Sequence, residues 1–273
     1  MSTSGHRFTK GHGTENDFVI LPDPDGELDL PPAEVARLCD RRAGIGADGV
    51  LRVVRAKAAG LPDEGAEWFM DYRNADGSLA EMCGNGLRVF ARYLVDSGFA
   101  APGDFPVATR AGVKAVSLGA TGDVTVDMGA PVVFAPSEAV LRGAVHRGLK
   151  VSMGNPHLAC LIESDVAALD LSEEPEFSSV DFPEGVNVEF FRPVGERHVT
   201  MRVHERGSGE TRSCGTGAVA TAVAAAVAAG LDPLRAPSSW TVDVLGGRVD
   251  VLFDGATSFL RGPAVLVADG VLR

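Results

Sequence analysis

The sequence has few cysteines, and no two of them are close together. Cys39, Cys83, Cys160 and Cys214 are widely separated, and no Cys-x-x-Cys pair occurs among the 273 residues. A zinc knuckle or a thioredoxin-like dithiol needs two cysteines about two residues apart. We therefore predict no metal site and expect four thiols, as is usual in a reducing cytosol.

Positive charge, aromatic residues and long hydrophobic runs are also scarce. The chain has 25 Lys and Arg against 37 Asp and Glu, a net charge of −12, and 6% aromatic residues. This balance repels nucleic acids and anionic membranes, and no basic run offsets it. The longest uncharged helical run, residues 214–231, is rich in Ala and too weakly apolar for a bilayer. Residues 1–5 lack the pattern of a signal peptide, so we expect a cytoplasmic protein without nucleic-acid or membrane partners.

Two similar turns stand out in the remaining sequence. Met-Cys-Gly-Asn-Gly at 82–86 and Ser-Cys-Gly-Thr-Gly at 213–217 each open a helical run, which ends near Ser97 in the first case and at Gly230 in the second. Each turn therefore places a cysteine, Cys83 or Cys214, where a Gly-rich loop meets a helix N-terminus. In contrast, Cys39 lies on the apolar face of a predicted helix beginning near residue 32, and Cys160 lies in an apolar strand; both are interpreted as structural.

The order of predicted elements repeats along the chain. Short strands are predicted before and after each cysteine helix, with a hairpin turn at 119–123 and an acidic helical stretch after residue 162. A shift of 131 residues places Cys83 on Cys214, and a shift of 139 places Asn16 on Asn155. We infer an internal duplication. The predicted fold is α+β, with two pseudo-symmetric lobes, 1–131 and 132–273, each a curved, barrel-like mixed sheet around a central helix, and a cleft between the lobes.

The paired cysteines indicate a chemistry. The positive end of a helix favours thiolate, which can act as a base. Inversion of a carbon centre requires a base on one face and an acid on the other, as two thiols across a cleft would provide. The same helix ends offer backbone N–H groups to a carboxylate that gains charge during deprotonation; these belong to Gly84, Asn85, Gly215 and Thr216. The alternative is that each Cys-Gly is simply a small buried pair at a tight turn.

Several polar residues near these turns are candidates for the same site: Asn16, Asn74, Asn155, His157, Asn187, Glu205 and Arg206. Structural interpretations compete with each assignment. An Asn can serve its own turn, and a single His is usually structural. The neighbours Glu205 and Arg206 fit a solvated surface pair as well as they fit a site in which Arg206 holds a carboxylate and Glu205 an ammonium group or a thiol proton.

Eight motifs in order resemble the diaminopimelate epimerase family over nearly the whole chain. They lie at 16–18, 74–78, 82–86, 154–157, 185–188, 205–207, 209–211 and 214–217. The resemblance implies a cofactor-independent isomerase that inverts one α-carbon of diaminopimelate between the LL and meso forms, on the route to lysine and peptidoglycan. It also implies two pseudo-symmetric lobes, a C-terminal strand packed on the first lobe, and a homodimer.

The resemblance assigns roles residue by residue. It implies that Cys83 and Cys214 are the catalytic bases and that His157 and Glu205 adjust their protonation. The substrate's polar anchors would be Asn16, Asn74, Asn155, Asn187 and Arg206, and the backbone cradle Gly84-Asn85 with Gly215-Thr216.

Two positions depart from the family pattern, and rival functions remain. Glu15 stands where relatives often have Gly, and Gly49 where some have a substrate-contacting Gln. One rival is a racemase of the same architecture acting on proline or histidine, although Asn85 and residues 210–213 fit the proline racemase pattern poorly. Another is a non-catalytic amino-acid-binding protein or a thiol redox sensor.

Overall fold

The computed structural model describes residues 3–118 and 122–273. Its elements in chain order are β1 (Arg7–Gly13), β2 (Asn16–Pro22), α1 (Pro32–Cys39), β3 (Gly49–Arg55), β4 (Trp68–Asn74), α2 (Gly84–Asp96), β5 (Asp104–Thr109), β6 (Gly112–Leu118), β7 (Val124–Gly129), β8 (Val132–Leu141), β9 (Ala144–Ser152), β10 (Pro156–Leu161), a 3-10 turn (Val166–Ala168), β11 (Glu176–Phe177), β12 (Asn187–Gly195), β13 (His198–Glu205), β14 (Gly209–Thr211), α3 (Gly215–Ala228), β15 (Ser238–Val244), β16 (Gly247–Phe253), β17 (Ser258–Gly262) and β18 (Val265–Val271).

The chain divides into two compact units. The first runs to Val126 and also includes Gly262–Arg273, whereas the second comprises Asp127–Arg261. The sequence prediction placed the boundary at residue 131 and gave 132–273 to the second lobe. The resemblance also implied a C-terminal strand packed on the first lobe. In the structure β18 pairs antiparallel with β1, from Arg7 opposite Val271 to His12 opposite Val265, and residues 262–273 belong to the first unit.

The first unit is built on a mixed sheet. Its strands follow the order β18-β1-β2-β3-β4-β5-β6-β7. Two neighbouring pairs, β2–β3 and β4–β5, are parallel, and the other pairs are antiparallel. The helix α2 connects β4 to β5, which is the kind of crossover that a parallel pair requires.

The sheet of the second unit repeats this pattern. Its strands follow the order β8-β9-β10-β12-β13-β15-β16-β17, with β10–β12 and β13–β15 as the parallel pairs at the same two places. The helix α3 connects the second parallel pair, as α2 does in the first unit. The common order of pairing directions supports the inferred duplication, and the α+β class predicted from the sequence is confirmed.

Each sheet wraps around its cysteine helix. The helix α2 contacts β18, β1, β2, β3, β4 and β6, and α3 contacts β9, β10, β12, β13, β15 and β16. Most of α3 is buried because its many alanines and its glycines carry a methyl group or no side chain, which lets strands approach on several sides. The small helix α1 buries Val35, Leu38 and Cys39, the face predicted from its spacing.

One local prediction differs from the structure, and another lies partly outside the described residues. After β10 the structure has a single 3-10 turn at Val166–Ala168 instead of an acidic helix, with the Asp165 carboxylate capping that turn by accepting from the Ala167 N–H at 3.1 Å. The acidic residues therefore serve local turns here. The predicted hairpin at 119–123 lies partly outside the described residues. No helix in the described ranges is long and apolar enough to cross a membrane.

Candidate active site

Cys83 and Cys214 are the N-cap residues of the two equivalent helices. Cys83 has an extended backbone, and its Sγ accepts the Gly86 N–H of α2 at 3.3 Å. Cys214 repeats this arrangement at α3, where Sγ accepts the Gly217 N–H at 3.4 Å. Cys83 is half-buried and Cys214 is buried. Each sulfur therefore lies at the positive end of a helix, as the sequence predicted.

In the first unit, Cys83 lies in a network of amides that ends on a buried cation. Its Sγ lies 3.6 Å from Asn16 Oδ1, and Asn85 Nδ2 donates to the same oxygen at 3.3 Å. Behind Asn85 lies Arg88, whose Nη2 donates to Asn85 Oδ1 at 2.8 Å and to Thr14 Oγ1 at 3.2 Å. The predicted residues Asn16 and Asn85 are thus brought to Cys83, with Arg88 as their support.

Arg88 is fully buried, and the sequence analysis missed it. Its Nε and Nη1 have no hydrogen-bond partner within the described residues. Burial lowers the pKa of Arg88 to about 10, although the charges of Cys83 and Asp123 act to raise it. A buried cation of this kind favours negative charge nearby, and the Cys83 sulfur is one place where it can form. The detectable signal was an Arg on the apolar face of α2.

The loop around Asn16 is held by charged side chains. Asn16 Nδ2 donates to Asp48 Oδ2 at 2.7 Å, and Arg41 bridges Asp48 and Asp17 at 2.7 Å each. Burial acts to raise the pKa of Asp17, but hydrogen bonds from Arg41 and Lys10 outweigh it and lower the pKa to about 2. The Asn16 amide is therefore oriented by an ionised cluster.

Asn74 lies at the end of β4, in a turn that leads toward Cys83. Its Nδ2 donates to Ser78 Oγ at 3.0 Å, and its backbone N–H donates to the Ser78 carbonyl. Asn74 thus serves its own turn, which was the structural alternative at the sequence level. Its half-buried side chain keeps further hydrogen-bonding capacity for a ligand.

In the second unit, four polar side chains connect Cys214 to the sheet beneath α3. Thr216 Oγ1 lies 3.5 Å from Cys214 Sγ, and Asn155 Nδ2 donates to Thr216 Oγ1 at 3.4 Å. Asn155 Oδ1 lies 3.1 Å from His157 Nε2, and His157 Nδ1 lies 2.6 Å from Glu189 Oε1. The predicted residues Asn155, His157 and Thr216 are therefore brought to Cys214.

Glu189 was not predicted as a site residue. Like His157, it is fully buried. A methyl group at Gly217 would lie 2.7 Å from Glu189 Oε1, so the carboxyl group packs directly against the first turn of α3. No neighbouring residue of the predicted strand marked Glu189 as part of a site. It is the pairing of β10 with β12 that brings Glu189 to His157.

Glu205, Arg206 and Asn187 form a third group in the second unit. Glu205 Oε1 accepts from the Thr211 hydroxyl. Asn187 Oδ1 accepts the Arg206 backbone N–H at 2.9 Å, and Arg206 Nη1 donates to the Glu184 carbonyl at 2.9 Å. The Asn187 and Arg206 side chains are therefore fixed through backbone atoms, which leaves Arg206 able to present the rest of its guanidinium to an anion.

Burial opposes the effect of the helix N-terminus on the Cys214 thiol. Burial raises the pKa of the Cys214 thiol well above its ordinary value, and the charges of Glu205 and Glu189 raise it further, whereas hydrogen bonds from Thr216 and Gly217 lower it. The helix end favours thiolate but is outweighed by desolvation and two carboxylates. Without substrate, Cys214 is therefore held as a thiol.

The two departures from the family pattern have structural consequences. Glu15 has a φ of 62°, in the left-handed region where Gly is most at ease, so the loop keeps a Gly-like backbone at some strain. At Gly49 a Cβ would lie 2.5 Å from the Arg73 carbonyl oxygen and 2.7 Å from Tyr72 Cε2. A larger side chain at position 49 would therefore require the neighbouring strand to move.

The two other cysteines have structural surroundings. Burial raises the pKa of Cys39 to about 11 and of Cys160 to about 12. Both thiols belong to apolar clusters, in agreement with their predicted structural role. Within residues 3–118 and 122–273, no group of three or more His, Cys, Asp or Glu is arranged to hold a metal ion.

The sequence matches the family model described as diaminopimelate epimerase at residues 8–134 and 149–267. Curated relatives named diaminopimelate epimerase include that of Thermobifida fusca, 56% identical with 98% of each chain covered. That of Streptomyces coelicolor is 55% identical, with 96% of this chain and 94% of the relative covered. That of Mycobacterium tuberculosis is 53% identical, with 97% and 96% covered.

Solved structures of lower identity share the fold. A hydroxyproline epimerase from Agrobacterium vitis aligns with a TM-score of 0.68 at 14% identity, covering 98% of this chain and 92% of the other. A phenazine biosynthesis protein of the PhzF family from Bacillus anthracis aligns with a TM-score of 0.68 at 17% identity, covering 98% and 99%. At these identities the likeness extends to the fold alone.

Proposed function

Since the chain belongs to the diaminopimelate epimerase family, we propose that it interconverts LL- and meso-diaminopimelate by moving protons between the substrate α-carbon and the thiols of Cys83 and Cys214. The family assignment rests on matches over nearly the full length of both this chain and its relatives. The protein is accordingly an isomerase, and its reaction supplies precursors of lysine and peptidoglycan.

The single observation that carries the mechanism is the equivalence of the two thiols. Cys83 caps α2, which connects the parallel strands β4 and β5, and Cys214 caps α3, which connects the corresponding strands β13 and β15. Each sulfur accepts a backbone N–H from the first turn of its helix at 3.3–3.4 Å. A two-base inversion needs two like groups that address opposite faces of one carbon. We therefore propose that the two thiols serve as these groups, one for each face of the substrate α-carbon.

The surroundings of the thiols support different starting roles. Arg88 is a buried cation beneath the Cys83 network, whereas burial, with the charges of Glu205 and Glu189, raises the pKa of Cys214 and holds it as a thiol. In the forward step the Cα–H bond breaks and its proton passes to the Cys83 thiolate. The electron pair left on carbon takes the proton of the Cys214 thiol from the opposite face. Cys83 ends as thiol and Cys214 as thiolate, and the reverse reaction restores the starting state.

The carboxylate next to the reacting carbon gains charge during this step. Backbone N–H groups at helix N-termini stabilise such an anion; the groups we assign to it are those of Gly84, Asn85, Gly215 and Thr216. His157 and Glu205 adjust the protonation of the thiols. The polar anchors of the substrate are Asn16, Asn74, Asn155, Asn187 and Arg206, with Arg206 suited to the distal carboxylate because its guanidinium can bind two oxygens at once.

We further propose a homodimer located in the cytoplasm, as the family resemblance implies. Sedimentation equilibrium of the purified protein should give twice the mass of the 28.4 kDa chain. A single species with the mass of one chain would contradict the dimer and would leave the assigned reaction unaffected.

The function is tested by assaying the reduced protein, without added pyridoxal phosphate or metal, against LL-diaminopimelate, meso-diaminopimelate, proline, hydroxyproline and histidine. Inversion of diaminopimelate alone is expected. Cys83→Ser and Cys214→Ser should each lower turnover by about 10²–10⁴-fold, the usual contribution of an acid or base. Cys39→Ala is the matched control because that thiol lies in an apolar cluster. Turnover of proline or histidine instead, or near-normal turnover in either serine variant, would overturn the proposal.

A further inference from the structure

Glu189 is a buried carboxyl group that exchanges no proton with the substrate in the reaction above. It lies on β12 with no exposed surface, and its Oε2 has no hydrogen-bond partner among the described residues. Burial raises the pKa of Glu189 to about 7; the charge of His157 lowers it and that of Glu205 raises it. A buried carboxylate is costly unless it is paired, and His157 is the hydrogen-bond partner of Glu189.

A continuous chain of polar contacts connects Glu189, through His157, to the sulfur of Cys214. Glu189 Oε1 lies 2.6 Å from His157 Nδ1, and His157 Nε2 lies 3.1 Å from Asn155 Oδ1. Asn155 Nδ2 donates to Thr216 Oγ1 at 3.4 Å, and Thr216 Oγ1 lies 3.5 Å from Cys214 Sγ. Every member of this chain belongs to the second unit.

The roles of donor and acceptor along the chain follow from the orientation of the Asn155 amide. Asn155 Oδ1 can only accept, so His157 Nε2 must carry a proton. The contact between Nδ1 and Oε1 then holds one more proton, either on the ring or on the carboxyl group. Since Asn155 Nδ2 donates to Thr216 Oγ1, the Thr216 hydroxyl proton is left for a different acceptor. The nearby Cys214 sulfur is that acceptor when it is a thiolate.

We propose that Glu189 is a positioning residue for Cys214: it fixes the protons of His157, which orients the Asn155 amide and directs the Thr216 hydroxyl at the Cys214 sulfur. The relevance to turnover rests on the proposed function, in which Cys214 gives up its proton to the substrate. The thiolate left behind faces the carboxyl groups of Glu205 and Glu189, so a hydroxyl donor held in place lowers the cost of that state.

We call the hydrogen-bonded chain from Glu189 through His157, Asn155 and Thr216 the relay. Loss of the relay and loss of the negative charge of Glu189 change the pKa of Cys214 in opposite directions. The negative charge of Glu189 raises the pKa of the Cys214 thiol, so its removal alone would lower that pKa. Loss of the relay removes the Thr216 hydrogen bond, which lowers the pKa, and therefore has the reverse effect. Both effects act in any variant that lacks the carboxylate, so the relay is isolated by comparing two such variants of which only one keeps a hydrogen-bond donor to His157.

The test uses Glu189→Leu, with Glu189→Gln as the matched control. A Gln amide can donate to His157 Nδ1, which keeps the proton on Nε2, whereas Leu cannot. The Cys214 thiol is titrated by NMR of isotope-labelled cysteine, and its signal is assigned by its absence in Cys214→Ser. Both variants lack the negative charge of Glu189, so their difference reports the hydrogen bond alone. We expect the pKa of Cys214 to be about one pH unit higher in Glu189→Leu than in Glu189→Gln, the value of one hydrogen bond to a charged group. An equal or lower pKa in Glu189→Leu would overturn the relay.

Two further measurements test the relay, and the second does not depend on how well the Leu variant folds. In a Thr216→Val background, Glu189→Leu and Glu189→Gln should give the same Cys214 pKa; an undiminished difference there would contradict transmission through Thr216. In the unaltered protein, ring-nitrogen NMR of His157 should show Nε2 protonated at neutral pH, and an unprotonated Nε2 would overturn the proposal. These readouts need no turnover, so failure of the epimerase assay and failure of the relay remain distinguishable.

Discussion

Gly86 and Gly217 occupy equivalent positions in α2 and α3, but only one of them has room for a side chain. A Cβ at position 217 would lie 2.7 Å from Glu189 Oε1 and 3.3 Å from Cys214 Sγ. At position 86 the nearest atoms, in Leu51 and Phe18, lie at 3.4 Å, an ordinary contact distance. Neither glycine has a positive φ, so backbone strain does not distinguish the two sites.

Replacement of each glycine by alanine therefore separates helix propensity from packing. Both variants gain up to about 1 kcal/mol because alanine favours helix over glycine. Gly217→Ala also forces a buried carboxyl group to move, and overpacking of this kind costs about 1–3 kcal/mol. We expect a net loss of about 1 kcal/mol, so that scanning calorimetry gives a melting temperature about 2–4 °C below that of the unaltered protein.

Gly86→Ala is the control and should melt at the same temperature or slightly higher. Both backbone N–H groups that reach the cysteine sulfurs are kept, so the comparison concerns the added methyl group alone. If Gly217→Ala melts as high as Gly86→Ala, then Glu189 does not pack against α3 as described, and the geometry behind the buried His157–Glu189 pair is wrong.

Two further predictions concern charged groups of the first unit. Arg88→Met removes the buried cation near Cys83 and should slow alkylation of Cys83 by iodoacetamide about tenfold at neutral pH, because the thiolate loses a nearby positive charge. The control is Arg92→Met, one turn along α2, which should leave the alkylation rate unchanged. An unchanged rate in both variants would refute the role of Arg88. Asp17→Asn should lower the free energy of unfolding by about 1 kcal/mol at pH 7, after allowance for the solvent exposure of Arg41. Since the folded pKa of Asp17 is about 2, below its ordinary 3.8, this stabilisation is present above pH 3.8 and lost as the pH falls through 2; a difference that persists undiminished at pH 2 would contradict it.

The arrangement of the two cysteine helices could be predicted because its signals are local. A cysteine followed by glycines at the start of an apolar run marks a helix N-terminus, and Cys83 and Cys214 show this pattern twice. The repeated order of strands between them then gives the duplication. Even the unusual feature of the site, a thiol in the N-cap position, follows from sequence spacing alone.

The supporting residues could not be predicted because their contacts are set by tertiary structure. Glu189 meets His157 across 32 positions of sequence, and Thr9 of β1 lies opposite Asp269 of β18. Buried charges such as Arg88 and Glu189 also run against the general preference of charged residues for the surface. The burial of Cys214 among carboxylates could not be predicted for the same reason, since a helix position can be read from sequence but its tertiary surroundings cannot.

The central claim, proton transfer by two separate thiols, is tested most directly by isotope labelling. LL-diaminopimelate is incubated with the protein in deuterated water, and both isomers are recovered early in the reaction. The thiol that protonates the product carries deuterium from solvent, whereas the thiol that deprotonates the substrate carries the abstracted proton. Deuterium should therefore accumulate in the meso product before it appears in recovered LL substrate. Equal early labelling of both isomers would contradict the two-thiol mechanism.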